Sequence, residues 1–195
     1  KADMPTAGPV AVSLVLEKEG RQIEGISLTT DGNAAMYLEV RENKLPPEIS
    51  KFKPLIGHDL KMVLRDLIRA GEALPEKIAD TRIAAWLLQP DTKRYELDWI
   101  YQSALNSHTE NDPRAKAISV WRLYEKLRKE MESADLISVF DDIEMPLLPV
   151  LARMEERGIT IDTKELSDLS KLVNKELIDR ERRIYKLAGV EFNIN

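Results

Sequence analysis

Apolar and polar positions alternate at the start of the chain. Val10, Val12, Leu14 and Leu16 fall on one face of an extended segment, and Ala11, Ser13 and Val15 on the other. That period of two predicts a strand over 10–16. Glu19-Gly20 signals a turn, and Ile23 to Thr30 reads as a second strand. Asp31-Gly32-Asn33 has the composition of a hairpin turn that tolerates positive φ, and Ala34 to Val40 reads as a third strand. Three strands joined by short turns predict an antiparallel meander.

The period then changes. After Pro46-Pro47 and a short Pro-bounded stretch, Leu60, Val63, Leu64, Leu67 and Ile68 share one helical face between Asp59 and Ala70, with Gly71 as the stop. Asp80-Thr81 offers an N-cap for a helix that ends near Leu88, before Pro90. Tyr95 to Leu105 predicts a short helix, and Pro113 opens a longer one carrying Ile118, Trp121, Leu123, Tyr124 and Leu127. The character shifts near Ser133-Ala134. Met145, Leu148, Leu151 and Met154 then form an apolar stripe, with Pro146 and Pro149 predicting a kink or a late helix start. Gly158-Ile159-Thr160-Ile161 reads as an extended link, and Asp162 with Glu165 as a capping box. The helix opened there runs to about Leu187 and stops at Gly189. Its stripe of Leu166, Leu169, Val173, Leu177, Ile184 and Leu187, broken at Arg180, predicts packing along another helix.

Composition narrows the classes. Apolar residues make up 43% of 195, enough for a core, and no apolar run approaches the roughly 20 residues of a membrane span. Absence of cysteine removes disulfides, zinc–thiolate sites and thiol nucleophiles, and fits a cytoplasmic location. A net charge of −5 argues against a domain devoted to gripping nucleic acid, though not against a local basic face. A start without Met and a stop just after a helix read as a fragment of something longer. No glycine-rich phosphate loop, Gly-x-Ser-x-Gly elbow or His-Glu-x-x-His occurs.

Two stretches carry a resemblance. Phe140-Asp141-Asp142-Ile143-Glu144-Met145-Pro146-Leu147-Leu148-Pro149, the link Gly158-Ile159-Thr160-Ile161-Asp162 and the terminal Glu191-Phe192-Asn193 follow one another at fitting spacings. They resemble the start of the polymerase domain in family A DNA polymerases of the bacterial DNA polymerase I type. Gly57-His58-Asp59-Leu60-Lys61, then Asp80-Thr81 with Ala85-Trp86-Leu87-Leu88-Gln89-Pro90, and Tyr95-Glu96-Leu97-Asp98 resemble elements of that family's 3′–5′ exonuclease domain. The resemblance implies an α/β, ribonuclease H-like exonuclease fold, with a mixed sheet that begins as the meander, followed by an α-helical hairpin. It places a degenerate exonuclease-like domain at 1–134 and the first, truncated helices of the polymerase domain at 135–195.

Active members of that fold hydrolyse phosphodiesters with two divalent ions held by carboxylates. An Asp-x-Glu pair on the first strand puts both acids on one face. Ser13 and Val15 stand at those positions, Val63 stands at the next ligand position, and Lys116 or a neighbour takes the place of the last, in a region lacking Tyr-x-x-x-Asp. None of the four is a carboxylate, so no catalytic or metal residue is expected. The alternative is a working metal-dependent nuclease with relocated ligands, drawn from Asp59, Asp80 and Asp98. Bland readings compete: Asp31 as a turn residue, Asp80 as a cap, His58 as a helix-start residue, and His108 without a companion. A free-standing adaptor on this fold leaves the polymerase-like segment without purpose.

Arg180, Arg182, Arg183 and Lys186 cluster near the end of the long helix. They suit either duplex phosphates or a solvated helix end with favourable cations, and the interleaved Asp179 and Glu181 favour the latter. The expected function is therefore structural support for a DNA polymerase, with the rest of the polymerase domain in cis and primer-template DNA as partners. Mg²⁺ is expected for the parent enzyme and no cofactor for this fragment. No membrane association is expected, and the resemblance implies the bacterial cytosol or nucleoid.

Overall fold

The computed structural model describes residues 5, 8–16, 22–40 and 44–194. The turn expected at Glu19-Gly20 lies outside them. Two compact units divide the chain, one ending at Arg157 and the other running from Gly158.

A five-stranded mixed sheet forms the centre of the first unit, in the order β3-β2-β1-β4-β5. β1 (Val10–Leu16), β2 (Ile23–Thr29) and β3 (Met36–Glu39) make the antiparallel meander. β4 (Leu55–Gly57) pairs with β1 in parallel, and β5 (Ile78–Asp80) pairs with β4 in parallel. β1 departs from simple alternation, because Val10, Ala11 and Val12 are all buried. A central strand flanked by β2 and β4 is covered on both faces. Gly25 of β2 lies under the Tyr37 ring, where a Cβ would fall 2.4 Å from its carbon atoms.

The turn at 30–35 closes through side chains. Thr29 Oγ1 donates to the Ala34 carbonyl at 2.6 Å, and Asp31 accepts the N–H groups of Asn33 and Ala34 at 2.9 and 3.2 Å. The Asn33 and Ala34 N–H groups hold the Asp31 carboxyl below its ordinary value. Because Ala34 is held in this turn, β3 begins at Met36 rather than Ala34.

Helices α1 (Lys61–Ala70), α2 (Thr81–Leu88), α3 (Leu97–Leu105) and α4 (Pro113–Ser133) follow. α4 packs on β1 and β2, and α2 and α3 pack on α4. Buried Val63, Leu64 and Leu67 of α1 and Val120, Leu123 and Leu127 of α4 join the strands in one core. Gly71 ends α1 at φ 75, a conformation that glycine reaches without a Cβ clash.

After a short α5 (Ile137–Val139), a π-helical turn over Phe140–Glu144 leads into α6 (Met145–Arg157). The stretch expected to kink or to start late is helical throughout: this wide turn lies just ahead of Pro146, and Pro149 sits inside α6. Pro146 has no N–H to donate and its ring needs room against the preceding carbonyls. Phe140, Met145, Leu148 and Ala152 are buried in the same core as the sheet.

The second unit is α7 (Thr163–Ala188), with Asp162 accepting the N–H groups of Lys164 and Glu165 at 3.0 Å each and Gly189 as a left-handed C-cap. No residue of α7 is buried. Tyr185 packs edge-on against Phe192, with ring centroids 5.9 Å apart.

Candidate functional site

The loop from β4 into α1 and the junction of β5 with α2 meet at one corner. Asp80 is 1% exposed. Its Oδ1 accepts the N–H groups of Arg82 (2.8 Å) and Asp59 (3.2 Å), and Oδ2 accepts that of Leu60 (2.6 Å). The expected cap of α2 is thus also the staple of the α1 entrance. This is why α1 starts at Lys61 and not at Asp59. The N–H groups of Asp59 and Leu60 are turned to the carboxylate, and Asp59 sits at φ 59, which a short polar side chain tolerates. Burial pushes the Asp80 carboxyl up. The Leu60 N–H, the nearby His58 and the N–H groups of Arg82 and Asp59 oppose that push.

His58 spans the corner. Nε2 lies 2.8 Å from the Tyr95 carbonyl, which only accepts, so this nitrogen carries a proton. Nδ1 lies 2.9 Å from Thr81 Oγ1, whose hydroxyl also lies 3.1 Å from the Gly57 carbonyl. Nε2 donates to the Tyr95 carbonyl, and the Thr81 hydroxyl that faces Nδ1 donates to the Gly57 carbonyl. Burial lowers the His58 pKa, against the opposing charges of Asp80 and Asp59. With its carbonyl held by His58, Tyr95 stays outside α3, which starts at Leu97.

A pocket opens beside this corner, walled by β1, α1, α4 and the start of α3. Ser13, His58, Asp59, Val63, Leu97 and Lys116 are among its lining residues. Three of the positions singled out in the sequence, Ser13, Val63 and Lys116, are thus brought together, although Val63 is 2% exposed and packs in the core. Val15 does not line this pocket. The side chains of Ser13 and Lys116 make no hydrogen bond or ion pair among the described residues. Ser27, opposite Ser13 on β2, has a buried hydroxyl without a partner among the described residues.

Among the described residues, Asp59 is the one carboxylate that lines the pocket, and it is paired with Arg82 at 2.5 Å. The other two acids considered as relocated ligands do not join it there: Asp80 is occupied by three N–H groups, and Asp98 is exposed and accepts from Thr109. No group of three or more His, Cys, Asp or Glu side chains among the described residues is placed to hold a metal ion. One paired carboxylate, a hydroxyl, an amine and apolar walls do not fit a pair of hard divalent cations.

The four basic residues of α7 also divide. Arg180 pairs with Glu176 at 3.1 Å and Arg182 lies 3.9 Å from Asp179, whereas Arg183 and Lys186 have no ion pair among the described residues. Sequence reasoning placed Thr81 in a cap and Tyr95 at a helix start, and missed their contacts with His58 and the pairing of Arg82 with Asp59. Their roles are set by contacts across the fold, and no local pattern marks them.

The sheet order, its parallel and antiparallel pairings and the flanking helices define an α/β protein of the ribonuclease H-like exonuclease type. Over most of its length the chain is homologous to bacterial DNA polymerase I. It is 33% identical to DNA polymerase I of Treponema pallidum over 201 residues, covering 91% of this chain and 20% of that protein. With DNA polymerase I of Geobacillus stearothermophilus it shares 33% identity over 147 residues, covering 71% of this chain and 17% of the relative. A solved structure described as the POL domain of Pol1 from M. smegmatis in complex with DNA primer-template and dNTP superposes with a TM-score of 0.72 at 21% identity, covering 95% of this chain and 35% of that one. No protein-family model matches. The chain spans about a fifth of the length of the curated relatives it matches. No helix among the described residues is long and apolar enough to cross a membrane.

Proposed function

We propose that this chain is a supporting part of a bacterial DNA polymerase, with residues 1–134 as a catalytically silent exonuclease-like domain and 135–195 as the first helices of the polymerase domain. The observation that carries this reading is the pocket where Ser13, Val63 and Lys116 stand together, with Asp59 tied to Arg82. Two-metal hydrolysis needs carboxylates on both ions, and this lining does not supply them. Nucleotide addition, with the Mg²⁺ that such chemistry uses, belongs to the remainder of the parent enzyme in the cytoplasm. Primer-template DNA reaches this part through Arg183 and Lys186, the two cations of the basic cluster without acidic partners.

The test is incubation of the purified chain with labelled single-stranded DNA and Mg²⁺ or Mn²⁺. We expect full-length DNA throughout and no metal-dependent thermal stabilisation. Degradation that disappears on Ser13→Ala or Asp59→Asn would overturn the reading. For the DNA contact, Arg183→Ala with Lys186→Ala should weaken primer-template binding and flatten its salt dependence; unchanged binding removes that contact.

A further inference from the structure

The helix that lines the pocket has a second face. Lys61, Arg65 and Arg69 recur one turn apart on α1, turned away from buried Val63, Leu64 and Leu67. Against them stand Glu155 and Glu156, in the last turn of α6. Lys61 Nζ lies 2.8 Å from Glu155, and Arg65 lies 3.5 Å from Glu155 and 3.4 Å from Glu156. Arg69 grips Glu156 with two parallel bonds of 2.8 and 2.9 Å, a geometry that fixes direction as well as distance. The five charges therefore form one row, with three cations interleaved on two anions. Lys61 holds the Glu155 carboxyl below its ordinary value, and Arg69 does the same for Glu156.

The apolar anchor of α6 is concentrated in its first half, at Met145 and Leu148, with Ala152 the last buried position. Leu151 and Met154 are exposed. The final turn has no buried apolar side chain to hold it, and the chain then reaches Gly158 at φ 65, where the compact unit ends. The ion pairs from α1 reach that turn, at Glu155 and Glu156. Single exposed pairs contribute little, but a bidentate, shared row is the arrangement in which surface charges do contribute.

We propose that this row is a salt-responsive clasp that holds the last turn of α6 on α1, so that the exonuclease-like fold carries the first polymerase-type helix as a rigid part of itself. The clasp deepens the supporting role proposed above and rests on it only for its purpose. α1 is the helix that turns Val63 to the pocket. In this chain its opposite face does the mechanical work.

Hydrogen exchange of the 153–157 amides in the full chain tests the clasp. Glu155→Lys with Glu156→Lys should speed their exchange roughly tenfold, and adding Arg65→Glu with Arg69→Glu should restore it. In the unaltered chain, raising NaCl to about 0.5 M should speed the same amides while leaving those of β1 and α4 unchanged. Glu155→Gln with Glu156→Gln, which keeps shape and removes charge, guards against a reversal that fails to fold. Unchanged exchange in the Gln variant, or a reciprocal swap that does not restore protection, overturns the clasp. Nuclease activity of the unaltered chain would overturn the supporting role and leave the clasp standing.

Discussion

At the corner where β4 meets α1, Asp80, His58 and Thr81 use every polar atom of their side chains. In the adjoining pocket, which shares His58 and Asp59 as walls, Ser13 and Lys116 make no side-chain bond among the described residues. The two regions are neighbours built on the same strands, yet one is closed chemically and the other is not. A buried carboxylate is stable where N–H donors converge on it, and Asp80 meets that condition. The pocket retains its shape because β1, α1 and α4 are held together by core packing. Chemistry and architecture are therefore separable here: the corner determines how the loop folds, and the pocket beside it keeps its walls with few polar groups in its lining.

The comparison breaks most sharply at Asp80. Asp80→Ala strands three backbone N–H groups in a buried site and should cost about 3–5 kcal/mol of stability. Denaturant unfolding measures this. A loss below about 1 kcal/mol would mean that the loop finds other acceptors and that the corner is not the closed region described.

His58→Ala comes next. It removes two hydrogen bonds and opens a gap among His58's neighbours, with an expected loss of about 2 kcal/mol. The pH dependence carries a sign. Burial lowers the folded pKa of His58, so the unfolded chain binds more protons and this contribution to stability is lost as pH falls below about 6.5. Asp80, Asp59 and Arg82 are the charges that face the ring. In His58→Ala, the slope near that pH should flatten; an unchanged slope assigns it to another group.

The smallest effect belongs to the pocket. Ser13→Ala and Lys116→Ala should each shift stability by no more than about 0.5 kcal/mol, since neither side chain has a hydrogen-bond or ion-pair partner among the described residues. A larger loss in either would show that the pocket is structurally engaged, as the corner is.

Much of this architecture was legible because it is local. The meander, the Asp31-Gly32-Asn33 turn, the caps at Asp80 and Asp162 and the stops at Gly71 and Gly189 follow from side chains acting within a few residues of themselves. The site was legible only in part. Ser13, Val63 and Lys116 were marked through a family resemblance and do share one pocket, whereas Val15 lies outside its lining. The start of α1 was misplaced because the groups that decide it, Asp59 and Asp80, are 21 residues apart. In the sequence His58 reads as a bland helix-start residue because its partner carbonyl at Tyr95 is 37 residues away.

By itself the sequence determined the three meander strands, the longer helices, their caps and the absence of carboxylates at positions 13, 15, 63 and 116. All of these depend on short-range periodicity or on residue identity. Only the tertiary structure decided that Asp80 staples a second loop and that Val63 faces a pocket shared with Ser13. It alone brought the Lys61, Arg65 and Arg69 row to Glu155 and Glu156 across some 90 residues of chain. Each charge on its own helix reads as solvated surface. Their meeting depends on where the core places α1 and α6, and that is settled by the burial of Val63, Leu64, Met145 and Leu148, not by the charges themselves.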